Sequence, residues 1–362
     1  MFDYTARWKR AQAILPELEL DALIVSPSQD LDYFTGLKPR YMGWTSFFLI
    51  TPQQVYFVVS GIEREMYLKT PVGHAECLGW NRGESRLAKV IDLLKSCKTV
   101  AVGSQFLSCH LLELQAALPH VTWKNADLVM SRLRVVKDAQ EIQILREAQQ
   151  SAEAALYQVF EEGIEGLTER QVAEKIMRYR MERGFDSVGA GIVASGPGSA
   201  EPHHFTSDRV IQDGDVVMVD IGGIYKGYSA DITRTVVVNR IPDGFQEIYE
   251  LCLAAHMAAV QGARPNMTCG ELDKLSRNVI QEGGFGQFYN HALGHGTGLS
   301  LHELPSIDRN VPAPIAPGTV FTIEPGIYLE GKYGVRIEDL LVMTEAGAET
   351  FNLSSKELTI IH

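Results

Sequence analysis

Cysteine is scarce, basic residues are outnumbered and long apolar runs are missing. The five cysteines, Cys77, Cys97, Cys109, Cys252 and Cys269, are odd in number, widely spaced and free of any C-x-x-C pair. That argues against a disulfide framework and reads as reduced, mostly buried thiols of a cytoplasmic protein. Lys+Arg total 33 against 45 Asp+Glu, a formal charge of −12. Nucleic acid and anionic membrane surfaces both call for a basic face, so neither is an expected partner. No segment approaches the ~18 uninterrupted apolar residues of a membrane span. Glu17, Glu19 and Asp21 follow the opening MFDYTARWKR too closely for a secretory leader. What remains is ordinary globular composition: 362 residues, 45% apolar and 22% charged, enough for two or three domains.

The first third alternates short helical and strand patterns. Tyr4, Trp8, Ala11, Ile14 and Leu15 share a helix face, and DALIVS (21–26) and KTVAVG (98–103) read as buried strands. TSFFLI and VYFVVS, separated by TPQQ (51–54), predict a β-hairpin. The character changes near 125–137, where Arg132, Arg134 and Lys137 run into a helix striped by Ile142, Leu145, Ala152, Leu156 and Val159. A second helix starts at Thr168, with Gln171 completing a capping box, and stops at Gly184. The expected organisation is an α/β domain over 1–125 and an α+β domain over 126–362.

The larger region carries an internal echo. GDVVMVD (214–220) and GTVFTIE (318–324) share a Gly, an alternating strand and a terminal acid. Each is followed by a strand with another acid, Asp231 in DITRTVVV and Glu338 in VRIED. Chance similarity between strands is the competing explanation. Asp220 and Asp231 flank a glycine-rich segment that reads as a hairpin; pairing them directly puts the turn at Tyr225–Lys226 and both carboxylates on one face. Alone, the pair reads equally well as strand-end aspartates facing water. Glu324 precedes Pro325-Gly326, and Arg336 lies two residues before Glu338 and therefore on the same face. One arginine cannot neutralise four acids ending apolar strands, which favours a cation site.

HALGHGTGLSLHELP (291–305) adds His291, His295 and His302, interleaved with glycines that permit close backbone approach. It is not H-E-x-x-H, because Ser306 stands where the second histidine belongs. Four carboxylates and an imidazole suit two divalent ions ~3.5–4 Å apart with shared carboxylates, an arrangement that activates water for hydrolysis. The oxygen-rich donor set favours Mn2+ or Co2+, with Zn2+ as a further candidate.

These segments, together with PHHFTSDR (202–209), VDIGGIYKGYSADITRT (219–235) and TIEPGIY (322–328), resemble the Xaa-Pro peptidases. That group comprises prolidase and aminopeptidase P, which share the pita-bread catalytic fold and a creatinase-type N-terminal domain. The resemblance implies five metal ligands, Asp220, Asp231, His295, Glu324 and Glu338, with Asp231 and Glu338 bridging both ions. It implies that Glu324 takes a proton from water, that His203 lies near the leaving side of the scissile bond, and that His302 contacts its carbonyl or the proline. It further implies that His291 lines the proline side, that Tyr328 stands behind the ligands, and that Arg336 buffers Glu338. His204 has no counterpart and reads as structural or exposed. Proline-containing di- or oligopeptides are the implied substrates, and a homodimer the implied assembly. Other pita-bread amide hydrolases and a catalytically dead binding module are the alternatives; the complete ligand set opposes the last.

Substrate length divides the family. A dipeptidase must hold the proline carboxylate, which calls for an arginine. In some prolidases an arginine follows His-Glu-x-Pro; here Ser306 occupies that place. Arg309 and Arg40 are the replacements the sequence offers, and the compact two-domain length leans towards a dipeptidase.

Overall fold

The computed structural model describes residues 2–37 and 46–361. The chain divides after Arg134 into two compact units. The first opens with the helix Tyr4–Glu17, which buries Trp8, Ala11 and Leu15. Its six-stranded sheet runs, in spatial order, Glu76–Trp80, Val55–Ser60, Phe47–Ile50, Ala22–Val25, Thr99–Val102, Thr122–Asn125. The expected hairpin forms, with Phe47 opposite Val58 and Ile50 opposite Val55. Ala22–Val25 pairs parallel with Thr99–Val102 and is buried throughout, as a central strand covered on both faces must be.

The second unit repeats one motif. In its first half the helices Ala139–Glu161 and Glu169–Glu182 pack through Ala152, Leu156, Val172 and Ile176 onto Val217, Val219, Ala230 and Ile232 of a long hairpin. In its second half Phe245–Gly262 and Cys269–Glu282 pack through Ala259 and Leu272 onto Phe321, Ile323 and Leu341. The second helix of each pair starts at a reciprocal capping box, Thr168 with Gln171 and Thr268 with Glu271. The two stretches of the sequence echo supply corresponding strands of the two halves, Val216–Tyr225 and Val320–Ile323. The partner strands are Tyr228–Val238 and Asp339–Thr344, both antiparallel.

The long hairpin differs from expectation by one residue. Its turn is Lys226-Gly227, with Tyr225 opposite Tyr228. Lys226 (φ 50°) and Gly227 (φ 87°) are both left-handed, as a two-residue turn that follows strand twist requires. A turn at Tyr225–Lys226 would instead impose that conformation on the tyrosine. Asp220 therefore faces Thr233, and Asp231 faces Gly222. The offset is two residues, so both carboxylates still project from one face.

Candidate active site

A cleft of about 510 Å³ opens in the second unit. Asp220, Asp231, Glu324 and Glu338 line it, with His203, His291, His295, His302 and Arg336. Each half contributes two of the acids. Asp220 and Asp231 come from the long hairpin, while Glu324 and Glu338 flank the paired ends Ile323 and Asp339.

His295 sits between two glycines on the strand Gly294–Gly296, squeezed between neighbouring strands. A Cβ at Gly294 would fall 2.1 Å from the Thr322 carbonyl oxygen, and one at Gly296 would fall 2.3 Å from that of Leu304. Only glycine fits such spacing, and the fit brings the imidazole to the acids. His295 Nε2 is 3.4 Å from Asp231 Oδ2 and 3.4 Å from Glu324 Oε1. Its Nδ1 lies 3.0 Å from the Gly296 carbonyl oxygen, which only accepts, so Nδ1 carries the proton. Burial pushes the ring down to about 4. The Nε2 lone pair therefore faces two carboxyl oxygens, and an interposed cation would turn that set into coordination.

The acids give the same result. Burial, reinforced by Asp220 and Glu324, pushes Asp231 well above the usual carboxylate range. Burial, then Asp231, Glu324 and Asp220, does the same to Glu338. Burial raises Glu324 to about 7 although Arg336 opposes it. Without added positive charge, these groups cannot all stay ionised. Asp231, His295 and Glu338 each offer a ligand atom, all within 4.8 Å of one another. The donor set, rich in carboxylate oxygen with one imidazole, fits hard or borderline divalent ions.

Neighbouring polar groups fix the donors. Thr322 Oγ1 accepts from the His295 backbone N–H at 3.0 Å and donates to Glu324 Oε1 at 3.0 Å. Thr233 Oγ1 donates to Glu338 Oε2 at 2.7 Å. Both threonines lie two residues from an acid along the chain, a spacing already visible in the sequence. Arg336 corrects an expectation: its ion-pair partner is Asp220 Oδ2, at 2.6 Å, rather than Glu338. The strand Tyr333–Arg336 ends at the arginine, so the two-residue rule does not reach Glu338. The same guanidinium donates to Tyr328 Oη at 2.9 Å and to the Pro202 carbonyl at 3.2 Å.

Tyr328 is buried behind the cleft wall and links Arg336 to His291 Nε2, 3.0 Å away. His291 Nδ1 faces the Ala292 carbonyl at 2.8 Å, so Nε2 accepts the tyrosine proton. Burial pushes His291 down to about 4, leaving a neutral ring with both nitrogens engaged. His203 and His302 are exposed on the cleft surface, the latter with its ring centroid 4.1 Å from that of His295. His204 points elsewhere, to Glu169 at 3.0 Å and Glu201 at 3.1 Å. Ser306 lines the cleft, whereas Arg309 is exposed outside it. Arg40 lies outside the described residues. Gln149 is a buried polar residue that the motifs do not mark; its signal is a glutamine between Leu145 and Ala152 on an otherwise apolar helix stripe.

Comparison with known proteins gives the family. Residues 143–345 match the model of metallopeptidase family M24, and residues 7–136 match the creatinase/prolidase N-terminal domain. The chain is 34% identical to the Xaa-Pro dipeptidase of Pyrococcus furiosus, over 97% of this chain and 99% of that one. Dipeptidase PepE from Mycobacterium ulcerans superposes with a TM-score of 0.93 at 34% identity, covering 99% of each chain. The X-Pro aminopeptidase from Thermotoga maritima does so with 0.84 at 29% identity, over 97% of this chain and 100% of that one. A creatinase-type N-terminal domain followed by a pita-bread catalytic domain, with donors for divalent metal gathered in the latter, makes this chain a member of metallopeptidase family M24.

Proposed function

We propose that this peptidase is a dimetal Xaa-Pro dipeptidase. The observation that carries the metal part is the unprotonated His295 Nε2 facing two carboxylates at 3.4 Å. Asp220, Asp231, His295, Glu324 and Glu338 would hold two divalent ions, Mn2+ first by the chemistry of the donor set. When bound, such a pair supplies Lewis-acid polarisation and an activated water. Glu324 would accept the proton released by that water. His203, exposed on the cleft surface, would return a proton to the departing proline nitrogen, which as a tertiary amide has none of its own. His302 would donate to the scissile carbonyl oxygen. His291, neutral and locked by Tyr328, would form a rigid apolar wall for the pyrrolidine ring. Arg336 would hold Asp220 and, through the Pro202 carbonyl, the turn that carries His203.

The preference for dipeptides is supported by the name and near-complete coverage of the Pyrococcus relative. One observation favours the second reading, Xaa-Pro aminopeptidase. Arg336 is the only arginine among the described residues lining the cleft, and Asp220 already engages it. No other arginine there awaits a proline carboxylate. The deciding experiment compares an Xaa-Pro dipeptide, its C-terminal amide and an Xaa-Pro-Xaa tripeptide, each with Mn2+. A dipeptidase cleaves the first far faster than the others; equal or faster tripeptide cleavage makes the chain an aminopeptidase. Five free thiols suit a cytoplasmic protein. A homodimer is the proposed assembly, to be read from its mass by light scattering.

A further inference from the structure

Asp231 and Glu338 come from different halves of the unit, yet one chain of buried polar groups grips the backbone of both. Around Asp231 the outer edge of the strand Tyr228–Val238 has no strand neighbour among the described residues, since Thr359–Ile361 pairs only with Val236–Val238. The Gln149 carboxamide takes that place. Its Oε1 accepts from the Asp231 N–H at 3.0 Å and its Nε2 donates to the Asp231 carbonyl at 2.6 Å. A primary amide copies the donor and acceptor of a peptide group, so Gln149, fully buried on the helix Ala139–Glu161, acts as a one-residue substitute strand.

The network continues to the other half. Gln149 Nε2 also donates to Asn352 Oδ1 at 3.0 Å, and that oxygen accepts from the Leu340 N–H at 3.1 Å. Asn352 Nδ2 donates to Glu153 Oε1 at 3.2 Å, one helix turn from Gln149. Glu153 Oε1 accepts from Arg234 at 3.2 Å. Arg234 donates to the Glu338 carbonyl at 2.5 Å and to Asp339 Oδ1 at 2.9 Å. The Glu338 N–H donates to the Thr233 carbonyl at 3.2 Å. Both acids are thus held at N–H and carbonyl alike. Gln149, Glu153, Arg234 and Asn352 are all buried. None of the four lines the cleft.

Backbone held at both polar groups leaves a side chain only its rotamers, and Thr233 restricts those of Glu338. We infer that Gln149, Asn352, Glu153 and Arg234 form one positioning network that sets the separation of the Asp231 and Glu338 carboxylates, and thereby lets a second divalent ion bind beside the first. This rests on the dimetal reading above.

The test titrates metal-free full-length chain with Mn2+, following stoichiometry by calorimetry and magnetic coupling of the ions by electron paramagnetic resonance. Gln149→Met keeps the volume and removes both bonds to Asp231. Glu153→Gln keeps the shape and weakens the link to Arg234, and serves if the first variant does not fold. Each variant should keep its first Mn2+ within a few-fold. Each should weaken the second by about 10–100-fold, with loss of the coupled spectrum at equal loading. Folded variants that take up two coupled Mn2+ with wild-type affinities overturn the inference and leave the dimetal reading standing. A wild-type chain that binds fewer than two Mn2+ overturns the dimetal reading itself.

Discussion

Arg336 and Asp220 face each other at 2.6 Å, and the arginine is the more buried of the two. Among the described residues it is the permanent positive charge lining a cleft with four acids. Removing one member of a buried ion pair leaves the other uncompensated, which costs about 3–5 kcal/mol. Arg336→Met should destabilise the metal-free protein by that order. Mn2+ should recover much of the loss, because added cations replace the missing charge. Denaturant melts with and without Mn2+ measure both effects; equal destabilisation in the two conditions would show that Arg336 does not serve the acids.

Chelation should lower stability in the wild type. A ligand that binds only the folded chain at 100 times its Kd adds about 2.7 kcal/mol per site. Mn2+ should therefore raise the melting temperature, and EDTA should return it. Asp231→Ala and Glu338→Ala should abolish both the shift and the activity, while Asp220→Ala should keep part of the shift. Two tightly bound metals and near-normal turnover in Asp231→Ala would contradict the bridging role.

The histidines should separate into two kinds. His295→Ala should lose metal, because Nε2 is the atom aimed at Asp231 and Glu324. His203→Ala and His302→Ala should retain metal and lose about 10²–10⁴-fold in kcat if they serve proton transfer and carbonyl polarisation. Metal content measured beside kcat decides. Metal loss from His302→Ala with retention in His295→Ala would invert the assignment.

Ser306 offers a gain-of-function test. It lines the cleft, whereas Arg309 is exposed outside it. Ser306→Arg should lower KM for Xaa-Pro dipeptides relative to Xaa-Pro amides, which lack the carboxylate. Arg309→Ala should change neither. Arg40→Ala should raise KM for the dipeptide alone if that residue supplies the carboxylate contact. An unchanged dipeptide-to-amide ratio in Ser306→Arg would exclude this wall as the carboxylate end.

The pair His204–Glu169 gives a pH signature. Burial pulls His204 down, but hydrogen bonds to Glu169 and Glu201 outweigh it and hold the ring above its usual value. Burial works against ionised Glu169 too, and is outweighed by bonds from Ser195, Ser207 and His204. A raised histidine contributes stability that is full below its unfolded value, about 6.5, and fades as pH climbs through the folded one. A lowered glutamate contributes above its unfolded value, about 4.3, and loses it as pH falls. His204→Gln should accordingly cost more at pH 5.5 than at pH 8.5 in urea melts. A cost that grows with pH would reverse the assignment.

Much of this site was legible because its chemistry follows strand parity. Asp220 and Asp231 share a face of the long hairpin, Glu324 and Glu338 sit just beyond the paired strand ends Ile323 and Asp339, and an error of one residue in the hairpin turn left the shared face intact. His295 was legible for its flanking glycines. Other features depended on where the chain leaves its strands. Arg336 was assigned to Glu338 because parity assumes a continuing strand, and the strand stops at Arg336. The apolar stripe marks Gln149 as out of place but hides its partner, because that partner is the backbone of Asp231, which has no side-chain signature in sequence. His204 and His203 are neighbours with opposite destinations, and only the buried Glu169 distinguishes them.

The duplicated architecture also orders events in time. Thr233 and Glu338 meet across 105 residues of chain. During synthesis the hairpin bearing Asp220 and Asp231 emerges long before Glu324 and Glu338 exist. On the proposed ligand set, a nascent chain would therefore carry half the donors with nothing to close it, and a loosely held ion could still exchange with solvent. If these four acids hold the ions as proposed, tight capture waits for the last strands, and metal content would report that the C-terminal half has docked. A release assay on chains stalled before Glu324 and after Glu338 would resolve the moment at which the ion stops exchanging.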